Sequence, residues 1–243
     1  MSTVLFINNE AQCIEDLIMN YGCLVKKIFV GVYTIDSIDS IIKINNSRKN
    51  ALVEIDRLQA LHNVKGVPKL LATNPNSTSE FYYIIMTKAK GMDLYEYTQK
   101  FGVFTEDNFK PIAINILKTL KKIHKLNIIH RDIKPENIMY DNETEKITIV
   151  DFEGRFTKSY ASPEQLRNKR VTLKSDMWSF GVTCYNSVSR VSLFKNKNDV
   201  LNKIVTYPDS FSELFRDFLE CIIQYNPSSR YSAKEALNHP WFF

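Results

Sequence analysis

Residues 129 to 140 read Ile-His-Arg-Asp-Ile-Lys-Pro-Glu-Asn-Ile-Met-Tyr, and this stretch constrains the chain more than any other. Asp132, Lys134 and Asn137 stand at fixed short intervals, directly followed by strand-like residues. Asn137 to Tyr140 and Lys146 to Val150 read as two strands around the polar turn Asp141 to Glu145. A further carboxylate, Asp151, follows the apolar run Ile147 to Val150 without a gap.

The surroundings divide into a β-rich first third and a helical remainder. Val25 to Tyr33 and Ser40 to Ile44 are rich in Val, Ile and Tyr and predict strands, with Ile35 to Asp39 as a hairpin connection. Ala51 to Leu61 places Leu52, Ile55, Leu58 and Leu61 at helical spacing, with Glu54 on a neighbouring face. Phe81 to Met86 predicts a buried strand. After Gly91 the pattern turns helical: Thr105 opens a helix reaching Lys125, and a second runs from Ser175 to Arg190. The pattern predicts an α+β fold of two lobes. We place a β-rich N-lobe at about 1–86, a hinge at 87–93 and a mainly helical C-lobe at 94–243, in one domain.

Composition narrows the classes. A hydrophobic fraction of 44 % and a charged fraction of 24 % suit a globular chain. The net charge of +5 comes without any run of five basic residues, so direct nucleic-acid binding is not indicated. Cys13, Cys23, Cys184 and Cys221 form no Cys-x-x-Cys pair and have no His at zinc spacing, which predicts free thiols in a reducing compartment. The first ten residues lack the basic and apolar regions of a secretory signal. No apolar run approaches the about 18 residues of a membrane span. The expectation is an intracellular protein, cytoplasmic or nuclear, acting as a monomer away from membranes.

The stretch His130-Arg131-Asp132-Ile133-Lys134-Pro135-Glu136-Asn137 resembles the catalytic loop of the eukaryotic protein-kinase superfamily, H-R-D-x-K-x-x-N. The resemblance covers residues 20 to 243 and implies ATP and Mg²⁺ as cofactors and a protein substrate. It makes Asp132 the acceptor of the substrate hydroxyl proton and brings Lys134 to the γ-phosphate. Asn137 and Asp151 become Mg²⁺ ligands. Lys43, in Ser40-Ile41-Ile42-Lys43, matches the strand lysine that meets the α- and β-phosphates, and Glu54 the helix glutamate that anchors it. For the nucleotide, the alignment implies Met86 as gatekeeper, Ala89 as a backbone contact to adenine, Asp93 as a ribose partner and Met139 under the base.

Two segments depart from the family pattern. The glycine-rich loop aligns on Asn20, Gly22 and Val25, so one glycine of three remains, and a stiffer loop should hold ATP less well. Asp151-Phe152-Glu153 has Glu in place of the usual Gly, and the segment from Asp151 to Glu164 leaves almost no room for a phosphorylated loop. Arg131, which would clamp that phosphate, is expected to meet Glu153 instead, making activity independent of loop phosphorylation.

Later motifs agree with the family. Tyr160-Ala161-Ser162-Pro163-Glu164, Asp176-Met177-Trp178-Ser179-Phe180-Gly181 and Arg230 match its C-lobe signatures, with a Glu164–Arg230 pair expected. The ending His239-Pro240-Trp241-Phe242 is similar to calcium/calmodulin-regulated kinases, and the compactness to viral and parasite kinases. Lys134 and Thr157 point to serine or threonine as acceptor, and Glu136 with Asp93 to basic substrates. The competing expectation is a pseudokinase, a nucleotide-binding or partner-binding scaffold, favoured by the poor glycine loop and Glu153.

Overall fold

The computed structural model describes residues 25–29, 32–35, 39–74, 82–202 and 204–243. The chain divides into two compact units: residues 1–63 with 68–89, and residues 64–67 with 90–243. The short insertion has a local cause. The backbone N–H of Ile149 donates to Gly66 O at 2.9 Å, and Gly66 sits at φ +92° against the Thr119 side chain. A Cβ there would lie 2.6 Å from Thr119 Oγ1.

The first unit is a five-stranded antiparallel sheet in the order β1-β2-β3-β5-β4 with one helix. Its strands are β1 (Val25–Phe29), β2 (Val32–Ile35), β3 (Ser40–Asn45), β4 (Leu70–Thr73) and β5 (Tyr82–Thr87). The run read as one strand, Val25 to Tyr33, is therefore two. Phe29 stands opposite Val32, so residues 30 and 31 alone join β1 to β2. The apolar run Ile28-Phe29-Val30 crosses the break, where Gly31 is the one turn signal, and hydrophobic period alone does not reveal it. Helix α1 (Arg48–Ala60) starts three residues before the predicted boundary because Ser47 Oγ caps it, accepting from Asn50 N. It buries Ala51, Glu54, Ile55 and Leu58.

The second unit opens with β6 (Met92–Asp93), which pairs with β7 (Ile138–Asp141), itself paired with β8 (Lys146–Ile149). Gly91 precedes β6 at φ +83°, and a Cβ there would fall 1.9 Å from Tyr140 O, so only glycine fits. The helices are α2 (Leu94–Phe101), α3 (Glu106–Lys125), α4 (Pro163–Leu166), α5 (Leu173–Val188), α6 (Lys197–Asn202), α7 (Glu213–Ile222) and α8 (Ala233–Ala236). Thr105 caps α3 as expected. Helix α5 is buried almost all round, its polar Ser175, Asp176, Ser179 and Thr183 as well as Met177, Trp178, Phe180 and Val182. Trp241 is buried against Phe215 and Phe218, closing the C-terminal end. No helix among the described residues is long and apolar enough to cross a membrane.

Candidate active site

The loop between α3 and β7 is shaped by one buried carboxylate. Asp176, in the first turn of α5, accepts from the backbone N–H of His130 at 2.9 Å and of Arg131 at 2.8 Å, and meets His124 Nε2 at 2.9 Å. Burial alone would raise the Asp176 pKa. The hydrogen bond and charge of His124, with the other donors, outweigh it and hold the carboxyl below its ordinary range. These bonds fix a strained backbone, for Arg131 lies at φ +79°. Gln165 Nε2 donates to Arg131 O at 3.0 Å and pins the other side of the same residue.

His130 is fully buried, its ring edge against Phe152. Nε2 bonds Val150 O at 3.0 Å and Nδ1 bonds Asp132 N at 3.3 Å, which makes Nε2 the protonated nitrogen of a neutral ring. Burial agrees, lowering its pKa against the pull of nearby carboxylates.

That scaffold presents a compact polar cluster. Thr157 N donates to Asp132 Oδ1 at 2.8 Å. Asn137 Nδ2 donates to Asp132 O at 2.8 Å and to Oδ2 at 3.2 Å. Lys134 Nζ lies 3.3 Å from Asp132 Oδ2 and donates to Thr157 Oγ1 at 2.8 Å. The Asp132 carboxylate is thus held by Thr157 N–H and Asn137 Nδ2, with the Lys134 cation beside it. Val150 N donates to Asn137 O at 2.9 Å, tying the residue before Asp151 to the loop. Asp151 itself has φ +68°, and Gly154 follows at φ +81°. The positive-φ freedom missing at Glu153 is supplied one residue later.

The expected partner of Glu153 is corrected. Its carboxylate meets Arg155 Nε at 3.0 Å, whereas Arg131 is exposed and forms no ion pair among the described residues. The backbone of Arg131 is set by Asp176 and Gln165, and its side chain points to solvent rather than to the buried side of Glu153.

The first unit carries the second polar arrangement. Lys43, on β3, lies opposite Ile84 of β5. Its Nζ is 3.2 Å from Glu54 Oε1 and 2.9 Å from Oε2, and Glu54 is 1 % exposed. Met86 is buried in β5 opposite Ile41, and Ala89 lies half-buried beyond that strand. In the second unit, Asp93 caps α2 through Oδ1, which accepts from Glu96 N at 2.7 Å, and Met139 stands opposite it on β7. Val25 begins β1, where only the backbone is described, and Gly22 lies outside the described residues.

Downstream, Arg230 and Glu164 form the expected pair: Nη1–Oε1 is 2.6 Å and Nη2–Oε2 2.8 Å. The role of Gln165 had no signal in the sequence beyond its neighbours. The grip of Asp176 on two backbone amides is equally invisible in spacing.

Comparison with known proteins agrees with this geometry. The protein kinase domain family matches residues 32–242. The serine/threonine-protein kinase cds1 of Schizosaccharomyces pombe is 32 % identical over 83 % of the chain and 52 % of its own length. The SNF1-related protein kinase catalytic subunit alpha KIN12 of Arabidopsis thaliana is 31 % identical over 66 % of the chain and 36 % of its own. The chain therefore spans about half, or less, of the curated relatives it matches. A buried aspartate that shapes the catalytic loop, a carboxylate flanked by lysine and asparagine, and a family match over most of the sequence lead to one assignment: this chain belongs to the protein kinase domain family.

Proposed function

We propose that the chain transfers the γ-phosphate of ATP to serine and threonine hydroxyls of protein substrates. The observation that carries this reading is the Asp132 carboxylate, held by Thr157 N–H and Asn137 with Lys134 at 3.3 Å. A carboxylate so fixed can accept the hydroxyl proton as the oxygen attacks. The adjacent ammonium offsets charge that builds on the migrating phosphoryl group. The hydroxyl of Thr157, bonded to Lys134, supports serine or threonine as the acceptor.

Asn137 and Asp151 are the residues that would hold Mg²⁺. Asn137 suits the ion: its Nδ2 is used by Asp132, and its Oδ1 accepts no hydrogen bond among the described residues, leaving an oxygen donor for a hard cation. When bound, Mg²⁺ neutralises phosphate charge. Lys43, steadied by Glu54, is the cation for the α- and β-phosphates. Met86, Ala89, Asp93, Met139, Gly22 and Val25 are the proposed nucleotide contacts.

The finer reading is a preference for basic substrates, from the acidic Glu136 and Asp93, and activity without loop phosphorylation, from the short segment after Asp151. Incubation with labelled ATP–Mg²⁺ and two peptides holding Ser, Thr and Tyr, one arginine-rich and one with the arginines replaced by alanine, followed by phosphoamino-acid analysis, tests these readings, and equal labelling of the two peptides would overturn the basic preference. Label on Ser and Thr, unchanged after phosphatase pretreatment of the protein, is expected. Label on Tyr alone would overturn the acceptor assignment, and loss after phosphatase the independence.

A further inference from the structure

The second unit has a cavity of about 530 Å³ away from the Asp132 cluster, walled by α3, the segment entering α5, and α8. Four cations line it: Lys121, Arg170, Lys174 and Lys234. No Asp or Glu does. Lys174 is engaged, donating to Arg230 O and lying 3.5 Å from Glu235 Oε2. Lys121, Arg170 and Lys234 are exposed and form no ion pair among the described residues. The start of α5, a helix of 16 residues, also faces this space through Thr172 and Leu173, adding the positive end of a helix dipole.

Three cations without an ion-pair partner around one concavity repel one another, and an anion relieves that repulsion. The lining says which kind. Leu173, Val171, Ile129 and Ala233 give the cavity an apolar floor. No Phe, Tyr or Trp lines it, and its one aromatic ring, His124, is held by Asp176, so it offers no array of rings on which successive nucleic-acid bases could stack. None of the large exposed apolar side chains lines it either, as insertion of the cavity rim into a lipid surface would need. A phosphorylated side chain on a peptide combines a compact charge of about −2 with neighbouring apolar atoms.

We propose that this cavity docks a phosphoserine or phosphothreonine of a partner protein, with Lys121, Arg170 and Lys234 on the phosphate oxygens and the flanking residues on the apolar floor. The site is separate from Asp132, so docking and transfer can be measured independently. It would select partners already phosphorylated elsewhere, and the proposal stands whether or not the chain is an active kinase.

The test is fluorescence anisotropy of a labelled phosphothreonine peptide, its unphosphorylated twin and inositol hexakisphosphate, with wild type, Arg170→Ala, Lys234→Ala and Asp132→Asn proteins. Each lost charge-assisted contact should weaken phosphopeptide binding by about tenfold. The unphosphorylated twin should bind far more weakly, and Asp132→Asn should bind like wild type. The proposal is overturned by equal binding of the two peptides, by binding indifferent to Arg170 and Lys234, or by binding of inositol hexakisphosphate alone. Phosphopeptide binding lost in Asp132→Asn but kept in Arg170→Ala would place the contact at the catalytic loop and overturn it as well.

Discussion

Replacing Arg230 with Met should unfold the second unit more readily than any surface change. Arg230 is 1 % exposed and Glu164 6 %. Besides the two bonds to Glu164, the guanidinium donates to the carbonyls of Gln224 at 2.5 Å and Lys174 at 3.1 Å, and it lies 5.1 Å from the Trp178 ring centroid. Met fills much of the volume but leaves a buried carboxylate with only the Ser175 hydroxyl, 2.8 Å away, as a side-chain donor. Removing one member of a buried pair costs about 3–5 kcal/mol. For a chain of this size that lowers Tm by about 6–20 °C. Burial pushes the Glu164 carboxyl up, but Arg230 outweighs it and holds the pKa below its ordinary 4.5. The pair's stabilisation is thus complete above that value and lost as pH falls through the lower folded pKa. Urea unfolding of wild type and Arg230→Met at pH 7 and at pH 4 measures both effects. A loss below about 1 kcal/mol at pH 7, or a difference that grows on acidification, would refute the reasoning.

Other consequences are as direct. Thr157→Val keeps the backbone N–H on Asp132 but loses the hydroxyl bonded to Lys134, so kcat should fall about ten- to hundredfold with little change in the KM for ATP; steady-state kinetics within twofold of wild type would contradict this. Burial keeps His130 neutral with its pKa below 6.5, so its contribution is present above pH 6.5 and lost on acidification. The urea midpoint should therefore decline between pH 7 and 5.5, and a rising midpoint would count against it. Cys184 is fully buried with its thiol pKa raised, so it should resist a thiol reagent until the protein is denatured, as mass spectrometry after labelling would show.

The catalytic loop was legible because its chemistry is dense and local. Asp132, Lys134 and Asn137 lie within six residues, and the bonds among them follow from that spacing. Lys43 and Glu54 were legible for a different reason: a β-branched strand and a short helix stripe place both with little freedom. The split of Val25 to Tyr33 into β1 and β2 was not, since a continuous apolar run crosses the break and only Gly31 marks it. Nor was β6, two residues long and dependent on Gly91 packing against Tyr140 O. The partner of Glu153 was misassigned because Arg131 and Arg155 offer the same charge, and only the backbone geometry set by Asp176 and Gln165 separates them.

The central claim is that Asp132 acts in phosphoryl transfer. Transfer from labelled ATP–Mg²⁺ to a serine/threonine peptide should be measured for wild type and Asp132→Asn, with thermal unfolding of both in ATP–Mg²⁺ as the control for folding and binding. Transfer by the wild type that falls by about 10²–10⁴-fold in Asp132→Asn, with ATP still raising Tm in both, is the predicted result. Equal transfer by the two proteins, or none from a wild type that ATP stabilises, would contradict it.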